Sequence, residues 1–131
     1  ATLEIESLGP PYSEFVHDLD LVDKYRKNAE TLGRTFDTAP RKGAGSTDMA
    51  NVSLLMPTIH PMLGLNSGSA VNHQPEFAAY CRTPVADQAA LDGAVAMALT
   101  AVDAATDDST RTRLLKQETS YSQIQQYPWT F

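Results

Sequence analysis

Cysteine is almost absent. One residue, Cys81, stands in a chain of 131, so no internal disulfide can form, and a reducing compartment such as the cytoplasm is the expected setting. With no base beside it in sequence, Cys81 is expected to be a small buried residue next to Tyr80 rather than a reactive thiol. Positive charge is also scarce. Ten Lys and Arg face sixteen Asp and Glu, for a formal net charge of −6 and a pI near 4.8. Nucleic acid demands a basic face, and these cations are dispersed, so no nucleic-acid partner is expected. No apolar run is expected to approach the roughly twenty residues that cross a bilayer, so no membrane partner is expected either. The chain has no Walker loop, GxGxxG, CxxC pair, HExxH or internal repeat, which removes the common nucleotide, redox and zinc-helix signatures.

What remains is 42% hydrophobic and 20% charged, the balance of a globular chain with one core. It opens Ala-Thr-Leu-Glu-Ile-Glu without an initiator methionine, n-region or h-region, and reads as a stretch of something longer. Leu3 and Ile5 alternate with polar neighbours, as in a half-buried strand. Gly9-Pro10-Pro11 then stops the ladder and suggests a hinge. Asp18 or Asp20 can cap a helix bearing Leu21, Val22, Tyr25, Ala29 and Leu32, with Gly33 as its stop. Residues 36–44 read as a loop or edge strand. Asp48 opens a brief helix, Val52 to Met56 is a buried helix end or strand closed by Pro57, and Met62 to Leu65 suggests another short strand. Asn66 to Ser69 is a turn-rich loop.

Thr83-Pro84 is the strongest helix start, a cap followed by proline at the first helical position. From Ala86 to Ala105 the chain is alanine-rich, with Leu91, Val95, Ala98, Leu99 and Val102 on one stripe, suited to packing on a sheet. A shorter helix capped by Asp108 or Ser109 carries Leu114 and Leu115. Trp129 and Phe131 imply that the tail docks. Mixed strands and helices predict an α/β fold, a partial mixed sheet packed by helices.

Two constellations can carry chemistry. The turn at Gly45, Ser46 and Thr47 leads into a helix start, where backbone amides and two hydroxyls can hold a carboxylate; an ordinary helix cap explains it equally well. The imidazoles are His17, His60 and His73, and zinc takes nitrogen, sulfur or carboxylate ligands in fours. His73 follows the Asn66–Ser69 loop and is placed to aim a ligand into a cleft. His60, between Ile59 and Pro61, suits the edge of a core or a donor behind a metal ligand, and His17 is expected to be exposed. Glu76, the nearest acid to His73, suits a solvated or capping role.

These segments carry a resemblance. The run GSTDMANVSLLMPTIHPMLGL, then NHQPEFAAY, then ADQAALDGAVAMALTAVDAA, resembles the C-terminal part of a metallopeptidase family that includes aminoacylases, glutamate carboxypeptidases and p-aminobenzoyl-glutamate hydrolases, most of all its amidohydrolase and dipeptidase-like branch. The similarity covers most of residues 12–106. It implies a two-zinc catalytic domain with an inserted lid domain that often mediates dimerisation. Residues 1–11 would then hold the last lid strand and the hinge, 12–106 the C-terminal portion of the catalytic domain, and 107–131 a C-terminal helix and tail. His73 matches the family's last metal ligand. Gly45, Ser46 and Thr47 match the region that binds the substrate carboxylate, and His60 lies in the matching pocket-lining run.

The resemblance further implies zinc-dependent hydrolysis of an amide bond in dipeptides or in N-acyl or aminobenzoyl amino acids, where zinc lowers the pKa of bound water to about 7 and a glutamate takes its proton. That glutamate and the other ligands belong to the family's N-terminal half, so the isolated chain is expected to be inactive, to bind at most one zinc ligand's worth of metal through His73, and to need the missing half as partner. A homo-oligomer is expected as well. The competing expectation is a non-catalytic assembly or partner-binding module, with structural histidines and the alanine-rich helix as an interface.

Overall fold

In the computed structural model, residues 2–4, 6, 9, 11–36 and 45–118 are described. The expectations for residues 37–44, for Ile5 and for the docking of Trp129 and Phe131 fall outside them. Five helices follow one another: α1 (Leu19–Thr31), α2 (Met49–Ser53), α3 (Pro75–Tyr80), α4 (Pro84–Thr106) and α5 (Asp108–Glu118). Among the described residues there is no strand, which overturns the expected α/β fold with its partial mixed sheet. The physical reason is that a strand is a pairing rather than a property of one segment. Leu3 and Met62 to Leu65 are not helical, yet they join no ladder, and Leu3 is exposed.

α1 forms as its sequence dictates. The Asp18 carboxylate accepts from the Leu21 amide at 3.1 Å, and Gly33 ends the helix at φ +80, a conformation that costs other residues a β-carbon clash. The Gly33 and Arg34 amides return to the Glu30 and Ala29 carbonyls. Tyr25 and Ala29 are buried against Ala96 of α4, with Leu32, Phe36 and Ile59 packed around them. Tyr25 and Phe36 meet edge to face, with ring centroids 6.5 Å apart, the arrangement that ring quadrupoles favour.

α4 is the longest element. Thr83 caps it by accepting from the Ala86 amide, and Pro84 occupies its first turn. Its buried residues are Ala86, Ala89, Gly93, Ala96 and Thr100, spaced by threes and fours as one helix face requires. Small side chains there let α1 approach closely. This corrects the expected burial of the Leu91, Val95, Ala98, Leu99, Val102 stripe: all five are exposed. The face that packs is the one with least bulk, because helix axes close together only where side chains are short. At 23 residues, with a mean hydropathy of 1.3 over an 18-residue window, α4 is also long and apolar enough to cross a membrane by length and composition alone, contrary to the expectation from the sequence. It nonetheless carries Asp87, Asp92 and Asp103, and the last two are engaged by partners in this chain.

Those partners tie the elements together. Asn28 of α1 donates to Asp103 at 2.7 Å and to Thr100 at 3.4 Å. Arg34 donates to the Gly64 carbonyl at 2.9 Å and lies 3.6 Å from Asp92. Gly93 faces Leu63 so closely that a β-carbon would collide with Leu63 Cδ1. α5 is capped one residue earlier than expected, by Asp107, which accepts from the Thr110 amide at 2.7 Å and from the Ser109 hydroxyl at 2.6 Å. These bonds, Ser109 first, hold the Asp107 carboxyl well below the usual range.

α5 reaches back to the start of α1. Arg113 forks onto Asp18 at 2.6 and 3.0 Å and onto Asp20 at 3.0 Å, and Thr110 donates to Asp20 at 2.8 Å. Burial pushes the Asp18 carboxyl up, but the bonds from Arg113 and the Leu21 amide together with the Arg113 charge outweigh it and leave it lowered. The Thr110 bond chiefly, then Arg113 and Lys24 against a burial contribution, lowers Asp20. Cys81, expected to be buried, is exposed just beyond α3: a helix of only six residues has no second layer to cover its end.

Candidate functional site

The extended segment from Pro11 to Asp18 is latched onto α2 and the residues after it. Asn51 uses both ends of its amide, accepting from the Ser13 amide at 2.8 Å and donating to the Pro11 carbonyl at 3.2 Å. The buried Ser53 hydroxyl accepts from the Val16 amide at 2.9 Å and donates to the Ala50 carbonyl at 2.6 Å. The Asp18 amide donates to the Thr58 carbonyl at 3.1 Å. Thus the Asn51-Val52-Ser53 run, read in the sequence as a brief helix and, from Val52, a buried helix end or strand, is a clip for the neighbouring chain. Spacing could not reveal that, because the polar side chains bond to backbone 37 to 40 positions away.

Gly45 and Ser46 are exposed ahead of α2, and Thr47 is half-buried. The Thr47 hydroxyl accepts from the Met49 amide at 3.3 Å, and the Thr47 carbonyl accepts from the Ala50 amide at 3.1 Å. Thr47 therefore tightens the turn just ahead of α2, whose N-cap residue, Asp48, makes no side-chain capping bond. Leu54, Leu55 and Met56, expected in a buried helix end or strand, are exposed.

His73 is exposed, in a turn just ahead of α3, with φ at +66. A side chain rarely adopts this left-handed conformation, although His, Asn and Asp do so more readily than most. Asn66 shares it at φ +54, and Gly68 at +63 completes the turn that the sequence predicted between residues 66 and 69. Glu76 is exposed in the first turn of α3.

His60 lies elsewhere. Together with His17 it borders a cleft of about 300 Å³ between α1 and the 59–62 segment. Phe15 stands beside both rings, with centroids 4.4 Å from His17 and 6.1 Å from His60. Val22, Tyr25, Phe36 and Ile59 give the cleft an apolar lining, and Arg26 adds a guanidinium. Neither Gly45, Ser46, Thr47 nor His73 lines it. The structure thus unites His60 with His17, which sequence reading set aside as merely exposed. The only signal for that pairing was the aromatic spacing of Phe15 and His17, which carries no weight until the two segments are latched together.

Among the described residues, no group of three or more His, Cys, Asp or Glu side chains gathers to hold a metal. His73 alone is one of the four ligands that zinc takes, so these residues by themselves do not amount to a zinc centre.

Comparison with known proteins gives the chain relatives. It is 32% identical over 105 residues to the Xaa-Arg dipeptidase of mouse and 33% identical over 105 residues to that of human. Each match covers 78% of this chain and 24% of the relative. The chain therefore spans about a quarter of the length of the curated relatives it matches. A stretch covering 78% of 131 residues must include positions 45–73 wherever it begins. No family model matches the chain, and no solved structure does. Over most of its own length, the chain is a sequence relative of part of a dipeptidase.

Proposed function

We propose that this chain forms one wall of an amide-hydrolysing site of the dipeptidase type, as part of a zinc-dependent amidohydrolase or dipeptidase. The substrates in this reading are dipeptides or N-acyl or aminobenzoyl amino acids, small molecules that end in a free carboxylate. The observation that carries it is the similarity to the Xaa-Arg dipeptidases, whose matched stretch spans positions 45–73. The left-handed backbone at His73 supports it, since strained conformations gather at functional positions and this one holds the imidazole out into solvent.

In this reading His73 contributes one metal ligand, the exposed Gly45 and Ser46 receive the substrate carboxylate, and Thr47 holds the turn that presents them. His60 has a pocket-lining role. The remaining ligands and the glutamate base lie outside this chain, so the isolated chain is inactive and works with the missing N-terminal half, within a homo-oligomer in a cytoplasmic setting.

The test is a chimera in which residues 12–106 replace the matched segment of the mouse dipeptidase. A folded chimera hydrolyses dipeptides ending in Arg, and His73→Ala within it abolishes turnover and lowers the bound metal by one ion per chain. Undiminished turnover and metal content in the His73→Ala chimera refute the ligand role. A folded chimera that cleaves no dipeptide refutes the reading as a whole.

One observation favours a second reading, a non-catalytic assembly module. One side of α4 presents Leu91, Val95, Leu99 and Val102 as an exposed apolar stripe, the kind of surface that marks an interaction site when it is contiguous. Catalysis by the chimera separates the two readings.

A further inference from the structure

The cleft between α1 and the 59–62 segment has a chemistry of its own. Its lining is apolar where it is deepest, at Tyr25, Phe36 and Ile59, and carries nitrogen donors at the exposed residues His17, His60 and Arg26. No carboxylate lines it. The nearest acid paired with a lining group is Asp23, which takes one arm of Arg26 at 2.5 Å, while a guanidinium has five N–H donors to offer. In a chain of net charge −6, a concave site whose polar groups can all donate and whose lining holds no acid is a departure from the average surface.

The cleft is also held in shape from both sides. The Val16 amide on Ser53 and the Asp18 amide on Thr58 bracket His17. Thr58 is buried, with its hydroxyl on the Met56 carbonyl at 2.9 Å, which anchors the start of the Ile59–Met62 wall. Phe15 packs beside both imidazoles. A site whose walls are fixed before the ligand arrives spends little binding energy on ordering them.

We propose that this cleft binds a small organic anion with a flat or branched apolar body, of the class of aromatic or branched-chain carboxylates. The body lies against Tyr25, Phe36 and Ile59, and the carboxylate meets Arg26 and the two imidazoles. A volume of about 300 Å³ is at the small end for ligand pockets, which limits the occupant to roughly one ring or one branched chain. The inference shares only His60 with the dipeptidase reading, because none of Gly45, Ser46, Thr47 and His73 lines the cleft.

The experiment is an NMR titration of the whole chain with benzoate, followed at the imidazole and aromatic signals, with benzamide and acetate as separate arms. Benzoate is expected to move the His17, His60 and Tyr25 signals saturably in the millimolar range, the affinity so small a ligand can reach. Benzamide keeps the ring without the charge and acetate keeps the charge without the ring; each is expected to bind about tenfold more weakly, the scale of one charged hydrogen bond for benzamide and of partial apolar burial for acetate. Arg26→Gln and His60→Gln, both at exposed positions, are each expected to weaken benzoate about tenfold while leaving the amide spectrum of α4 unchanged. The proposal is overturned if benzoate produces no saturable shift at His17 and His60, if its shifts fall at residues 45–47 or 73 instead, or if benzamide binds as well as benzoate. A failure here leaves the chimera result untouched, so the two readings fall separately.

Discussion

α4 has two long faces that differ in a single respect. One carries Ala86, Ala89, Gly93, Ala96 and Thr100 and is buried; the other carries Leu91, Val95, Ala98, Leu99 and Val102 and faces out. By hydrophobicity alone the second face belongs inside, and it is not there. Within this chain, what selects the packed face is closeness of approach: α1 presents Tyr25 and Ala29, and only a row of small residues lets those reach the axis of α4. Polar bonds confirm the choice of face, since Thr100 and Asp103 meet Asn28 along the same contact.

The largest expected break in that comparison is Tyr25→Ala. Tyr25 is 3% exposed and central to the cluster, and removing a buried aromatic costs about 3–5 kcal/mol. Urea unfolding followed by circular dichroism should show most of the chain's stability gone. A loss under about 1 kcal/mol would mean that the α1–α4 contact does not hold the chain together.

A matched pair sharpens the contrast. Ala96→Leu adds bulk to the buried face, where Ala96 is 0% exposed, and overpacking there should cost about 1–3 kcal/mol. Ala98→Leu adds the same bulk two positions on, on the exposed face, and should change stability by no more than about 0.5 kcal/mol. Equal losses from the two in the same urea titration would mean that the outer face is covered in solution.

A further test addresses the polar end of the bundle. Asp18→Ala removes both the α1 cap and the Arg113 fork, for about 1–2 kcal/mol. Because the folded Asp18 carboxyl lies below its ordinary value, its contribution is complete above the unfolded value of about 4 and is lost as pH falls through the lower folded one. Asp20 and Asp107 behave alike. Stability should therefore fall with acidification below about pH 4, and Asp18→Asn should flatten that fall. An unchanged slope in the variant would remove Asp18 from the account.

How much of this was legible in the sequence depends on the range of the interactions involved. The caps at Asp18 and Thr83, the stop at Gly33, the brief helix after Asp48 and the turn at residues 66–69 were all readable, because each is decided within a few residues. The sheet was misread because alternation at Leu3 and apolar runs near Met62 specify a willingness to pair, and pairing needs a neighbour. The burial of α4 was misread because hydropathy ranks residues by transfer energy and ignores how near a second helix must come. The Phe15, His17, His60 cluster could not be seen, since it depends on a latch between segments almost forty positions apart. Gly45, Ser46, Thr47 and His73 were singled out by turn and loop position and then by resemblance; Gly45, Ser46 and His73 are exposed and Thr47 is half-buried.

Asp107 is one residue standing between two helices, its amide on the Asp103 carbonyl and its carboxylate on the first turn of α5. A joint that short has no slack, so the azimuth of α5 is set by counting. One inserted residue would turn every later side chain by about 100°, carrying the Arg113 guanidinium away from Asp18 and Asp20. Natural variation in length should therefore avoid this elbow and collect in the turns ahead of α4.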